Sequence, residues 1–215
     1  MDVHASEKEQ VEALKNWWKE NGSSVITGLL LGLSVLLGGK AWFGYQENQK
    51  LSASNTYAQM MAVSAVGDNE QVKAYANVLI TDFTSSAYAP LAAMLLARQA
   101  VEAGELSAAE AQLEWALDMA ATPEVEHAAR TRLVRVMIDQ AQYAQAEAVL
   151  DSVLDPGAYR FVYSELRGDL AIVQGEPEKA AAAYKAALAE TPGEGPNVSL
   201  LSAKLESVSA AGDAE

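Results

Sequence analysis

Along most of the chain, apolar residues return every three or four positions among polar and charged ones, the spacing of helices that bury one stripe. One stretch departs from this pattern: Gly22 to Gly39 runs for eighteen positions without an ionisable side chain. At ~1.5 Å per residue that length just crosses a hydrocarbon core of ~30 Å, more comfortably if the helix continues past Lys40 to Tyr45. Trp17 and Trp18 precede the run and Trp42, Phe43 and Tyr45 follow it, as interfacial aromatics do at the two headgroup levels, with Lys40 placed to snorkel. The pattern therefore predicts a transmembrane helix over 22–45, in contact with the lipid bilayer, with a buried core helix as the alternative. Cleavage as a signal peptide is disfavoured, because the apolar run is long and Gly38-Gly39-Lys40-Ala41 offers no small-x-small site.

Beyond the span, 46–65 reads helical, and Val72, Tyr75, Ala76 and Leu79 set one stripe on a helix from Glu70 to Ile80. Three later segments repeat. Gly104-Glu105-Leu106, Ala141-Gln142-Tyr143 and Gly175-Glu176-Pro177 each precede an alanine-rich amphipathic stretch, at spacings of 37 and 34 residues. In the last unit Gly168, Gly175, Ala180, Tyr184, Ala187 and Pro192 occupy small, aromatic and terminating positions that resemble a tetratricopeptide repeat. In the second, Leu133, Tyr143, Ala146 and Leu150 fit while Val134 and Ala141 replace the two glycines. In the first, Leu96, Gly104, Ala109, Leu113 and Ala116 fit, with Ala97 where glycine is usual. Small residues at a helix crossing let two antiparallel backbones approach, and a large side chain fills the flank.

The residues 46–80 form a degenerate fourth pair by this reading. Thr191-Pro192-Gly193-Glu194-Gly195-Pro196 then breaks the chain, and Val198, Leu201, Leu205 and Val208 form the stripe of a capping helix. No run alternates like a strand. The predicted fold is all-α: a single N-terminal transmembrane helix followed by a tetratricopeptide-like helical-repeat solenoid. Its divisions are a short cytoplasmic segment 1–21, the span 22–45, the repeat domain with its capping helix 46–210, and a frayed tail 211–215.

Composition narrows the setting. The chain has no cysteine, which excludes a lipoprotein, disulfides, metal thiolates and thiol nucleophiles, and suits a periplasm or a cytosol alike. Acidic residues outnumber basic ones 29 to 15, a formal charge of −14, and nearly all of the excess lies beyond Tyr45. Such a surface repels nucleic acid and anionic headgroups and leaves proteins, basic or unfolded ones, as partners, although solubility alone also accounts for it. Lys8, Lys15, Lys19 and the amino terminus before the span, against Lys40 and Lys50 behind it, lean towards a cytoplasmic N-terminus. Ser6-Glu7-Lys8-Glu9 has the spacing of a capping box and Val11, Leu14 and Trp18 share a face, which reads either as a short surface helix or as an interfacial flank. Within the span Ser24, Gly28 and Gly32 recur every four residues, a packing face for another membrane helix or simply common membrane glycine.

Chemistry is sparse. His4 and His127 are far apart and show no ligand pattern, so no metal site is expected, and His127 reads as a helix-surface residue. There is no Gly-x-Ser-x-Gly elbow, and Gly39-Lys40 lacks the earlier glycine and the following hydroxyl of a phosphate loop. Glu126 and Arg130 are spaced for an i,i+4 ion pair. Arg130, Arg132 and Arg135 make one local basic cluster, read as a solvated face or as a site for an acidic ligand. No catalytic constellation and no cofactor are expected; the chain reads as non-enzymatic.

Gln10-Val11-Glu12-Ala13, Lys15, Trp17-Trp18 and Glu20-Asn21-Gly22 before a glycine-rich span resemble the N-terminal signature of the ancillary SecYEG translocon subunit family. Tyr88-Ala89-Pro90-Leu91-Ala92 and Leu166-Arg167-Gly168-Asp169 are similar to that family as well, so the resemblance covers most of the chain. It implies a bacterial inner-membrane protein with a periplasmic repeat domain, associated with the SecYEG channel and the membrane-anchored periplasmic chaperone PpiD. Likeness to other repeat proteins puts the first helix of each pair on a concave face. Those positions are Leu91, Met94, Arg98, Val101 and Glu102, then Arg135, Ile138 and Asp139, then Glu165, Asp169, Ile172 and Val173. Apolar patches with interleaved charge suit extended or partly folded secreted chains; alternatively the helix from Val198 to Val208 fills the groove. The function expected is to assist newly translocated proteins beside the translocon. The rival is a scaffold or assembly factor for another envelope complex, without chaperone activity.

Overall fold

The computed structural model describes residues 7–191 and 196–212. The Ser6 cap, His4, the break at 192–195 and the tail from Asp213 lie outside the described residues. Among those described, every regular element is helical: α1 (Glu7–Ala65), α2 (Asn69–Asp82), α3 (Tyr88–Glu102), α4 (Leu106–Asp118), α5 (Pro123–Asp139), α6 (Tyr143–Asp151), a 3-10 turn (Gly157–Tyr159), α7 (Arg160–Val173), α8 (Pro177–Glu190) and α9 (Pro196–Gly212). The surface flank, the span and the helix expected over 46–65 are one uninterrupted helix. No proline occurs before Pro90, so nothing in α1 removes a backbone donor. The chain divides into two compact units, one ending at Ser52 and one beginning at Ala53.

In the first unit the stretch 22–39 of α1 is without ionisable groups on any side and largely exposed: Leu29, Val35 and Leu36 are each more than two-thirds exposed. It is the one described helix long and apolar enough to cross a membrane. Two of its hydroxyls are satisfied within the helix, Thr27 Oγ1 donating to Ser23 O and Ser34 Oγ to Leu30 O, each at 2.8 Å, as suits a medium without water.

The second unit is a stack of helical hairpins: the end of α1 with α2, which bury Ala53, Met60, Val72, Ala76 and Leu79 in one cluster, then α3–α4, α5–α6 and α7–α8, each of these packing chiefly on its neighbours in sequence. One turn closes all four hairpins. Gly67, Gly104, Ala141 and Gly175 sit at φ of 78°, 78°, 59° and 76°. In every case the next residue's N–H reaches five positions back: Asp68 to Val63 O at 3.1 Å, Glu105 to Ala100 O at 2.8 Å, Gln142 to Met137 O at 2.9 Å and Glu176 to Ala171 O at 2.8 Å. These are Schellman closures, which satisfy helix-end carbonyls and require a left-handed residue. Helix starts are marked locally: the Asp68 carboxylate accepts from Gln71 N–H at 3.1 Å, and Pro123 and Pro177 occupy first-turn positions where the missing donor costs nothing.

Alanine dominates the crossings. Ala92, Ala93, Ala109, Ala116, Ala129, Ala146, Ala180 and Ala187 are fully buried, and larger anchors such as Leu79, Leu113, Leu150, Tyr163 and Leu166 fill the space between. At Gly168 the approach is closest: the ring of Tyr184 of α8 takes the space a β-carbon would fill, and its hydroxyl donates to Asp169 Oδ1 at 2.8 Å. α9 ends the stack by burying Leu201 and Val208, with Leu205 partly covered, against Ala171, Ala180, Tyr184 and Ala187. Burying a leucine-sized side chain contributes about 1.5–3 kcal/mol, so the stripe of α9 is enough to hold it.

Candidate protein-binding groove

The first helices of successive hairpins touch, α3 on α5 and α5 on α7, so they stand side by side on one face of the stack. Between the end of α1, α3 and α5 this face opens into a groove of about 530 Å³. Six positions predicted from the repeat alignment line it: Leu91, Met94, Arg98, Val101, Arg135 and Asp139. Tyr57, Met60, Met61 and Arg132 line it too. The three residues of α1 were not anticipated, although their spacing places them on one face of the helix and Gly67 stands 37 residues before Gly104, in register with the other turns. The wall is shaped by Tyr57 stacking on Tyr88 at 4.9 Å between ring centroids, with the Tyr88 hydroxyl donating to Ser54 Oγ at 3.3 Å.

Not every predicted position joins the groove. Ile138 is half-buried and packs on the central core, while Ile172 and Val173 are exposed at the end of α7 and lie apart from this cavity. Glu102 is on the surface, paired with Arg98 at 3.0 Å. Glu165 and Asp169 face α9: the Lys204 ammonium donates to Glu165 Oε1 at 2.7 Å and to both Asp169 oxygens at 2.7 and 2.9 Å, and lies 5.7 Å from the Tyr184 ring centroid. Burial pulls the Lys204 pKa down, but the bonds from Asp169 and Glu165 outweigh it and hold the pKa above the ordinary lysine value. Burial first, and the acceptor Asp169 second, push the Tyr184 phenol up. The capping helix thus occupies the polar α7 part of the face, and the apolar α1–α3–α5 part is free of it.

His127 is not a surface residue, as its position had suggested. It is half-buried, with Nδ1 2.7 Å from the hydroxyl of fully buried Tyr163 and its ring 4.4 Å from that of Tyr159, because α7 packs on α5 and places two tyrosines one turn apart around it. Burial raises the Tyr163 phenol, against the opposing pull of the nearby Arg130 guanidinium. Arg130 pairs with Glu126 at 2.6 Å as their spacing predicts. Among the described residues no cluster of histidine and carboxylates has the makings of a metal site.

In the candidate membrane helix, Trp17, Trp18, Trp42 and Tyr45 are each at least half exposed, in two tilted ring pairs with centroids 6.5 and 6.4 Å apart. Ser24, Gly28 and Gly32 are exposed, and a β-carbon at Gly28 or Gly32 would meet no atom within 4 Å.

The fold and the groove define a tetratricopeptide-like helical-repeat protein that carries one candidate membrane helix near its N-terminus. The chain belongs to the tetratricopeptide repeat-like domain family, whose model matches residues 15–210, and within it to the ancillary SecYEG translocon subunits. It is similar to the ancillary SecYEG translocon subunit of Escherichia coli K12, at 30% identity over 186 residues, covering 86% of this chain and 89% of the relative. The Haemophilus influenzae Rd protein of the same name is 29% identical over 178 residues, 82% of this chain and 85% of the relative. The Neisseria gonorrhoeae FA 1090 protein, also so named, is 24% identical over 209 residues, 97% of this chain and all of the relative.

Proposed function

We propose that this chain is a non-enzymatic accessory of protein translocation, anchored in a bacterial inner membrane by residues 22–45, with a cytoplasmic N-terminus and a periplasmic repeat domain. There it associates with the SecYEG translocon and with the chaperone PpiD, and offers its groove to newly translocated proteins. The observation that carries this reading is the apolar, methionine-bearing groove left open between the end of α1, α3 and α5, in a chain whose relatives are named as translocon subunits. Flexible thioethers repack around varied side chains, which suits a succession of clients better than one rigid ligand. The anchor makes weak contacts sufficient, because a tether beside the exit site raises local concentration without any new contact. Interfacial aromatics at both ends fix the depth of the span, and the Ser24, Gly28 and Gly32 face admits a second helix at close range.

Site-specific photo-crosslinking of the full chain in intact membranes tests this, with probes at Gly28 in the anchor and at Met94 and Arg135 in the groove. The expected result is crosslinks from Gly28 to translocon subunits or PpiD, and from the groove to many secreted chains. Groove crosslinks confined to one resident envelope protein would instead make the chain a scaffold.

A further inference from the structure

The groove that receives a client under the reading above is also the place where the charge of the protein reverses. The chain has a formal charge of −14, yet Arg98, Arg132 and Arg135 line this cavity against a single carboxylate, Asp139. Arg98 is engaged by Glu102, but Arg132 and Arg135 make no ion pair among the described residues. Arg132 Nη1 donates to its own helix at Ala128 O, 2.7 Å away, and lies 3.6 Å from Met94 Sδ, which aligns the guanidinium along the thioether wall. Unpaired guanidinium groups are unusual on so acidic a surface, where 29 carboxylates compete for 15 bases. Their planar forks match carboxylates in two hydrogen bonds, and at the edge of an apolar cavity such bonds are less screened than on open surface.

We propose that the groove selects polypeptide segments in which a carboxylate is flanked by large apolar side chains, the apolar groups packing on Met61 and Met94 and the carboxylate bridging Arg132 and Arg135. This rests on the groove being a client-binding surface and names the chemistry it prefers. The repulsion between an acidic segment and the domain as a whole is screened beyond about 8 Å at physiological ionic strength, whereas contact with the two arginines is not. α9 does not compete for this part of the face, since its cation is held by Glu165 and Asp169.

The test uses the full chain in mild detergent and a short fluorescein-labelled peptide of Leu and Met with two central Glu residues, beside versions with Gln or Lys in place of Glu, read by anisotropy. The acidic peptide is expected to bind roughly tenfold more tightly than the Gln version, as two partly exposed charge contacts allow, with the advantage shrinking as salt rises. Arg132→Glu with Arg135→Glu is expected to turn the preference towards the Lys peptide. Both side chains are exposed, and Arg132→Gln with Arg135→Gln, checked by circular dichroism, serves as the milder variant, in which the acidic preference should disappear. Equal binding of all three peptides, still displaced by blocking Met94 with a crosslink, would overturn the charge selectivity and leave the client groove standing. Binding of none of them would overturn both. Displacement of the acidic peptide by phosphatidylglycerol vesicles, dependent on the two arginines, would assign them to headgroups, and a dimer lost on charge reversal would assign the groove to a second copy; either overturns the proposal.

Discussion

Replacing Gly168 with alanine tests the packing of the last hairpin most directly. A β-carbon built there falls 2.6 Å from Cδ1 and 2.9 Å from Cζ of Tyr184, so the ring must move. Tyr184 is 3% exposed and its hydroxyl is bonded to Asp169, so it has no free volume to enter without giving up that bond. In an open helix the substitution would stabilise by about 1 kcal/mol, since glycine is the poorer helix former. Against this stand about 1–3 kcal/mol for overpacking a filled crossing and about 1 kcal/mol for the lost hydrogen bond. The expected net is a loss of about 1–3 kcal/mol, and for a loss near 2 kcal/mol the melting temperature should fall by about 4–8 °C in a chain of this size. Thermal and urea unfolding of the full chain in mild detergent, followed by far-ultraviolet circular dichroism, measure it. The second arm of a double-mutant cycle removes the obstacle: in a Tyr184→Leu background, Gly168→Ala should become neutral or stabilising. A Gly168→Ala protein as stable as wild type, or a penalty unchanged by Tyr184→Leu, would refute the argument that the bare α-carbon exists to receive the ring.

Ala141 holds φ of 59° where its three counterparts are glycine, a conformation that costs an L-residue about 1–2 kcal/mol. Ala141→Gly should therefore stabilise the domain by about 0.5–1 kcal/mol after the greater freedom of unfolded glycine is subtracted, seen as a higher urea midpoint. Lys204→Met removes the cation between half-buried Glu165 and Asp169 and should weaken the docking of α9 by about 2 kcal/mol, less than for a fully buried pair because the group retains some solvent; faster hydrogen exchange confined to α8 and α9 would show it. The same contact has a pH signature. The folded pKa of Lys204 is raised, so its contribution is complete below the ordinary value of 10.5 and is lost as pH rises through the higher folded value. Exchange protection of α9 should thus fall above about pH 10.5 in wild type, relative to α4, and show no such step in Lys204→Met. Tyr163→Phe removes the partner of half-buried His127 Nδ1 and should cost about 1 kcal/mol in urea unfolding.

Much of the molecule was legible one position at a time. The uncharged run from Gly22 to Gly39, its aromatic flanks, the turn glycines Gly104 and Gly175, and Ala180, Tyr184 and Ala187 follow from local rules of helix length, left-handed closure and side-chain volume, none of which needs a distant neighbour. Repetition then gave the first hairpins in outline, and with them Leu91, Met94, Arg98, Val101, Arg135 and Asp139 on one groove. The contribution of Tyr57, Met60 and Met61 stayed hidden because the hairpin of α1 and α2 departs most from the repeat pattern and only Gly67 marks it.

What no pattern along the chain expresses is the choice between equivalent partners. The stripe of α9 had to be buried somewhere. Three-dimensional packing put Leu201 and Val208 on Ala180 and Ala187 and bound Lys204 to Glu165 and Asp169, so one part of the face is closed and the apolar part is left open. His127 changed from a surface residue to a tyrosine-clasped one for the same reason. Local periodicity says which side of a helix turns inward, whereas which neighbour it meets depends on contacts between residues 30 to 40 positions apart, and those exist only once the stack has formed.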